Sequence, residues 1–192
     1  MDSIVTLKES VEQCDLCAAC LPLGPKPIIQ MASGSKILIA GQAPSQKVHH
    51  TGILFNDASG DRLRSWLGVS KETFYDENQF AILPMGFCYP GKGSSGDLPP
   101  RMECAIKWRA GLLEALRHIQ LTIVLGQYAM AYHLPSDNLG VTQRVANWQQ
   151  YWPRVIPLPH PSPRNNPWLK RHPWFEEEVL PSLKVRVQTI LT

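Results

Sequence analysis

Four short apolar runs, each emptying into a glycine or proline turn, constrain this chain more than any other feature. They are Lys36 to Gly41 (KILIAG), Phe80 to Gly86 (FAILPMG), Leu121 to Gly126 (LTIVLG) and the run within VIPLPHPSP. Each is too short to span a bilayer and too uniformly apolar for a strand with one wet face, so each reads as a buried strand. The stretches between them have helical spacing. Leu63, Trp66 and Leu67 share one face of DRLRSWLGV, with Ser59 or Asp61 as the expected cap. A helix is expected from about Arg101 to His118, carrying Cys104, Trp108, Leu112 and Leu116, and another begins at QYAMAYHL. The end, PWFEEEVLPSLKVRVQTIL, reads as an amphipathic helix that contains Pro181 or is broken by it. Gly41 to Gly60 reads as a long loop, too polar to be core. Buried strands alternating with helices predict an α/β fold, a three-layer α/β/α sandwich around a four-stranded parallel sheet. At 192 residues the chain fills one core and is short for two. It therefore reads as one domain over residues 1–192, with residues 1–35 an N-terminal cysteine-bearing segment.

In such sheets ligands gather beyond the carboxyl ends of the strands. Here those ends read GQAPS, PMGFC, GQ and PHPSP, so the least ordinary residues fall where the fold would build a site. A formal charge of +3 is compatible with nucleic acid and argues for it only where cations cluster. The start, MDSIVTLKES, lacks a basic-then-apolar leader pattern, so a cytoplasmic, reducing environment is expected. In that setting five cysteines point to metal ligation before disulfides. Cys14, Cys17 and Cys20 form two overlapping C-x2-C spacings, and Cys88 and Cys104 form a C-x15-C. Four thiolates hold either a [4Fe–4S] cluster or a tetrahedral zinc, and the residues alone do not separate these.

Taken together, three signatures resemble the uracil-DNA glycosylase superfamily, and in particular its iron–sulfur branch. The first is the strand leading into Gly41-Gln42-Ala43-Pro44-Ser45 and on through His50-Thr51-Gly52 to Phe55. The second is the late strand leading into His160-Pro161-Ser162, and the third is the cysteine pattern. The resemblance runs in order along nearly the whole chain. It implies cleavage of an N-glycosidic bond in DNA by a monofunctional enzyme, with a deaminated or otherwise damaged base flipped into a pocket. By spacing it implies Cys14, Cys17, Cys88 and Cys104 as ligands of a [4Fe–4S] cluster, leaving Cys20 as an extra thiol. His160 matches the histidine that donates to the departing base, and Ser162 a residue that contacts phosphate through its hydroxyl and amide. Phe55 matches the ring on which the base stacks. Gly41, Ala43 and Pro44 shape the pocket, to which His49 is a further contributor.

The chain departs from the pattern twice. Gln42 stands where iron–sulfur members carry glutamate, and Ala43 where other branches carry aspartate or asparagine. Water is then left to Gln42 and backbone carbonyls, with His49, His50 and Asp57 as nearby candidates; a glutamine merely bonded to the loop backbone fits Gln42 equally well. Pro84 occupies the position of the asparagine that reads uracil, which leaves the backbone of Met85 and Gly86 to substitute. After His160, the segment Pro163 to Phe175 interleaves Arg164, Asn165, Lys170 and Arg171 with Trp168 and Trp174. That mixture suits phosphate contact beside an apolar wedge. The expected arrangement packs Trp174 and Phe175 and places Arg164 and Lys170 on DNA. No membrane partner is expected, and a monomer is the default. The rival reading is a non-catalytic iron–sulfur module that binds damaged or undamaged nucleic acid on the same fold.

Overall fold

The computed structural model describes residues 4–94 and 96–192; Met1 to Ser3, at the head of the cysteine-bearing segment, and Ser95 lie outside the described residues. In chain order the strands are β1 (Ile37–Ala40), β2 (Phe80–Ile82), a small antiparallel hairpin of β3 (Lys92–Gly93) and β4 (Gly96–Asp97), then β5 (Leu121–Leu125) and β6 (Val155–Leu158). The helices are α1 (Ile4–Glu12), α2 (Gln46–Thr51), α3 (Ala58–Leu67), α4 (Lys71–Tyr75), α5 (Met102–Cys104), α6 (Ala110–Ala115), α7 (Gly126–His133), α8 (Val141–Ala146), α9 (Asn166–Arg171) and α10 (Leu180–Leu191). All four apolar runs enter one sheet of order β2-β1-β5-β6, and every pairing in it is parallel. Ile39 stands opposite both Ile82 and Ile123, and Ile123 opposite Ile156.

The two-residue period of β1 explains the layering. Ile37 and Ile39 face a core that includes Leu63, Trp66 and Leu67 of α3 and Leu183, Val187 and Ile190 of α10. Leu38 faces the other way, onto Val11 of α1 and Leu112 and Leu116 at the end of α6. Both faces of the sheet are thus dry, each fully buried aliphatic side chain contributing about 1.5–3 kcal/mol. The fold is the α/β/α sandwich expected. No described helix is long and apolar enough to cross a membrane.

Several local expectations are corrected. Helix α3 is capped by Asp57, whose Oδ1 accepts from the amides of Ser59 (3.0 Å) and Gly60 (3.1 Å), rather than by Ser59 or Asp61. The segment from Gly41 to Gly60 is not an all-polar loop: Ser45 caps α2, and Val48 and Leu54 are buried. The helix expected over residues 101–118 ends at Ala115 and widens into a π-helical segment at Ala105–Arg109, the kind of bulge that accompanies functional positions. Pro181 does not break the last helix, because it falls in the first turn of α10 directly after a π-helical segment, Phe175–Val179.

Strand order also fixes where a ligand can sit. From β1 the chain moves to β2 on one side, then crosses back over β1 to β5 on the other. The loops leaving β1 and β5 therefore diverge, and the crevice between them is the natural site.

Candidate active site

Beyond β1, the carbonyls of Gly41 and Gln42 accept hydrogen bonds from the amides of Met85 and Gly86, both at 2.9 Å. The exits of β1 and β2 are thereby bound together. Both amides are consumed, so of the Met85 and Gly86 backbone groups expected to read the base, the amides are already engaged. Phe55 adopts φ 54°, the left-handed region that a bulky residue rarely occupies. Surrounding contacts hold it there. The Tyr75 hydroxyl donates to Leu54 O (2.8 Å), Arg64 Nη1 donates to Phe55 O (3.4 Å), and Phe55 O lies against Gly60 with no room for a Cβ. The Phe55 ring is edge-on to Phe74 and comes within 3.5 Å of where a Cβ on Gly41 would stand. Strain over-determined in this way is characteristic of ligand-contacting positions.

Beyond β6, the Ser162 amide donates to His160 Nδ1 (3.2 Å) and Asn165 Nδ2 donates to His160 O (2.7 Å). Because Nδ1 accepts, the neutral imidazole carries its proton on Nε2. Burial pushes the His160 pKa below its ordinary value, against a weaker opposite effect of the Asp57 charge, so the neutral form is favoured. Ser162 Oγ accepts from the Arg164 amide (3.3 Å), which with the committed Ser162 amide leaves the hydroxyl as that residue's one group for a phosphate. Arg62, which the sequence reading passed over, braces this loop by donating to Ser162 O (3.1 Å) and Asn166 Oδ1 (2.7 Å).

Gly126, at φ 76°, joins the halves of the site. A Cβ there would stand 3.7 Å from His160 Cβ and 3.9 Å from Gln42 Nε2, so the three loops meet over a glycine. The result is a cleft of about 650 Å³ that brings together Gly41, Gln42, Ala43, Pro44, Phe55, Pro84, His160, Ser162, Arg164 and Asn165. Asp57, Gln127 and Tyr128 also line it. His49 does not. Its ring faces Tyr89, and its Nδ1 is buried without a hydrogen-bond partner among the described residues. Lys170 is exposed on α9, away from the cleft lining. Arg164 is exposed but lies against Gly96, where a Cβ would stand 2.1 Å from its Nη1, and its charge lowers the Asp97 carboxyl against the larger raising effect of burial. Trp174 and Phe175 pack on the core as expected. Trp168 does too, stacked on His172 with Nε1 donating to Thr142 Oγ1 (2.8 Å), so it is not a free wedge.

Beneath Pro84 lies a residue that the pattern of the helix did not single out. Arg109 is fully buried in the π-helical segment, and its Nη1 donates to Leu83 O (3.2 Å) and Pro84 O (2.9 Å). Its remaining donors reach His133 Nε2, at 2.8 Å from Nη2. Burial, and then the Arg109 charge, push His133 down to about 3, which keeps it a neutral acceptor. The Pro84 wall is thus set from behind by a forked cation.

Four of the five cysteines lie within electrostatic range of one another. The Cys104 thiol feels the charges of Cys17, Cys88 and Cys14, while Cys20 is exposed and outside this set. Each of the four sulfurs has an N–H aimed at it. Trp108 Nε1 reaches Cys14 (3.3 Å), the Arg101 side chain Cys17, the Lys26 amide Cys88, and the Phe87 amide Cys104. Burial raises Cys17 and Cys88 and takes Cys104 up to about 11. Among the described residues no three His, Cys, Asp or Glu side chains are gathered tightly enough to hold a single metal ion.

A parallel α/β/α sandwich with a histidine-bearing cleft at its topological switch point defines an α/β domain with a ligand cleft at its strand exits. A family model of the uracil DNA glycosylase superfamily matches residues 29–184, and the chain belongs to that superfamily. Its members act on DNA, and membership points to DNA glycosylase activity.

Proposed function

We propose that this chain is a monofunctional DNA glycosylase that hydrolyses the N-glycosidic bond of a deaminated base and leaves an abasic site. The observation that carries this reading is His160: Nδ1 is committed to the Ser162 amide, so the Nε2–H is left for the cleft that Phe55 and Gln42 share. Breaking the bond puts negative charge on the departing base and positive charge on the sugar. A neutral imidazole donor stabilises the first without having to lose a proton. Phe55 supplies a stacking face worth roughly 1–3 kcal/mol for a flipped base. No lysine is found among the described lining residues, in keeping with hydrolysis rather than Schiff-base chemistry. Arg164 and Asn165, in the cleft lining, and the exposed Lys170 outside it are read as the groups that meet the phosphate backbone, and the chain is read as acting as a monomer.

Cys14, Cys17, Cys88 and Cys104 are the residues that would hold a [4Fe–4S] cluster, and on this reading the chain is a member of the iron–sulfur branch. Four thiols, each with an N–H donor, suit thiolate ligation. When bound, the cluster supplies structural cross-linking of the N-terminal segment to the β2 exit and to α5. Zinc is the alternative occupant, and iron, sulfide and zinc analysis of anaerobically purified protein separates the two.

The test of activity is incubation with end-labelled single- and double-stranded oligonucleotides carrying uracil, hypoxanthine or xanthine, followed by alkaline cleavage. His160→Ala is expected to lower the rate about 100- to 1000-fold. Cleavage that survives this substitution would refute the assignment. One observation favours a second reading, a non-catalytic nucleic-acid-binding module. Pro84 offers the base no side-chain donor, and the Met85 and Gly86 amides are committed. On that reading no tested base is released, and His160→Ala leaves binding unchanged.

A further inference from the structure

The sheet has a second pole, and cations are concentrated there. Lys36 precedes β1, the turn from Arg117 to Gln120 precedes β5, and Arg154 precedes β6, so these residues meet at the amino ends of the strands, opposite the cleft. Two depressions of about 560 and 580 Å³ adjoin at this pole and share Arg117, Ile119 and Gln120 in their walls. Lys36 and His118 add to the first, and Arg154 and Arg186 to the second; no Asp or Glu is found among the described lining residues of either. These four Lys and Arg exceed the formal charge of the whole chain, +3, so all other residues together carry −1. The cations are mounted on the sheet itself. The Gln120 amide donates to Lys36 O (2.7 Å), and the Thr122 amide to Arg154 O (2.8 Å). Arg186 reaches across from α10, its Nη2 donating to Gln120 O (3.3 Å) and its Nε buried without a hydrogen-bond partner among the described residues.

The chemistry of the lining selects the ligand. No Phe, Tyr or Trp is found among the described lining residues, so the pole offers no platform for unstacked bases and no aromatic anchor for a protein partner. Three of the four cations are arginines, whose planar fork presents two donors to one phosphate. Roughly 15 Å of buried sheet separates the pole from the cleft, since β5 runs for five residues at about 3.3 Å each. A straight duplex lying on the strand exits does not reach it. We infer that this pole is a second DNA-binding surface, which holds the phosphodiester backbone of another duplex segment without reading its sequence while the cleft engages the first. The inference goes beyond the glycosylase reading and requires no base to be released.

The test is a capture experiment with the full chain. One short undamaged duplex is immobilised, the protein is added, and a second, labelled duplex is offered; analytical ultracentrifugation of the same mixture in solution gives the stoichiometry. A complex of one chain with two duplexes is expected. Four phosphate contacts, each contributing about 0.9 to the salt slope, predict that affinity for the second duplex falls about 100-fold between 50 and 200 mM salt. Arg117 and Arg154 are both exposed, so Arg117→Gln combined with Arg154→Gln should keep the melting temperature. Two lost contacts should halve the slope, so that the same change in salt costs only about 10-fold. Binding of the first duplex, and single-turnover excision of any base that wild type releases, should be unchanged. Complexes holding two chains for every two duplexes, or an unaltered slope in the double variant, would overturn the inference. So would failure to capture a second duplex by a chain that instead binds a poly-glutamate peptide through Arg117 and Arg154, a result that would assign the pole to an acidic protein. If no base is released by wild type, the glycosylase reading fails for those bases, while the capture measurement still decides this one.

Discussion

The smallest perturbation with the largest expected consequence is one methyl group at Gly60. An ideal Cβ there would lie 1.7 Å from Phe55 O, 2.6 Å from Phe55 C and 2.8 Å from Phe55 Cβ. A carbon–oxygen contact needs about 3.3 Å, so the Phe55 carbonyl would have to retreat by roughly 1.5 Å. It cannot do so alone, because Arg64 holds that carbonyl, Tyr75 holds the one before it and the Phe55 ring is packed against Phe74. Gly60→Ala gains about 1 kcal/mol of helix propensity and loses more to overpacking, the common range being about 1–3 kcal/mol with larger values where backbone must move. A net destabilisation of about 2–3 kcal/mol is expected, or a fall in Tm of roughly 4–12 °C for a chain of this size. Excision should fall with it, because Phe55 is displaced. Gly111 in α6 is the matched control: it also lies in a helix, and its Cβ would meet nothing within 4 Å. Gly111→Ala should therefore raise stability by up to about 1 kcal/mol. Differential scanning calorimetry on both variants decides the matter. If Gly60→Ala stabilises the protein as Gly111→Ala does, the close approach of α3 to Phe55 is wrong, and the account of the strained turn goes with it.

The remaining predictions concern the site and its supports. Because burial lowers the His160 pKa and the neutral imidazole is the active form, the acid limb of kcat/KM should lie below the ordinary histidine value of 6.5; a limb above it would contradict the enclosed neutral donor. Arg109→Met should destabilise by about 1–3 kcal/mol per carbonyl left unsatisfied, partly offset by removal of a buried charge. Arg109→Lys should not restore the stability seen in chemical denaturation, since an ammonium cannot reproduce the fork. Cys20→Ser should leave iron and sulfide content unchanged and Cys104→Ser should abolish it, as read by colorimetric analysis of anaerobic protein; equal losses would move Cys20 into the ligand set.

What the sequence determined by itself was the architecture and the edge of the sheet on which a cleft would open. Uniformly apolar runs such as KILIAG and LTIVLG can satisfy their side chains only in a sheet covered on both faces, and a parallel sheet presents its strand exits on one edge. Hence Gln42, Phe55 and His160 were legible as one site, although 118 positions separate the first from the last. Local polarity misled where burial was decided from a distance: Val48 and Leu54 sit in a polar stretch, and His49 looks as apt for a pocket as its neighbours until its ring is found against Tyr89. Only the tertiary structure decided which groups remained available. It spent the Met85 and Gly86 amides on the β1 carbonyls and fixed the His160 proton on Nε2 through Ser162. It also put a fully buried arginine behind Pro84 and aimed an N–H at each of four cysteines while leaving Cys20 outside. A residue's type states which bonds it can make. Which of them it has left to offer depends on partners 25 to 100 positions away, as with Arg109 and Pro84 or Arg62 and Ser162, and those meetings exist only once the sheet has closed.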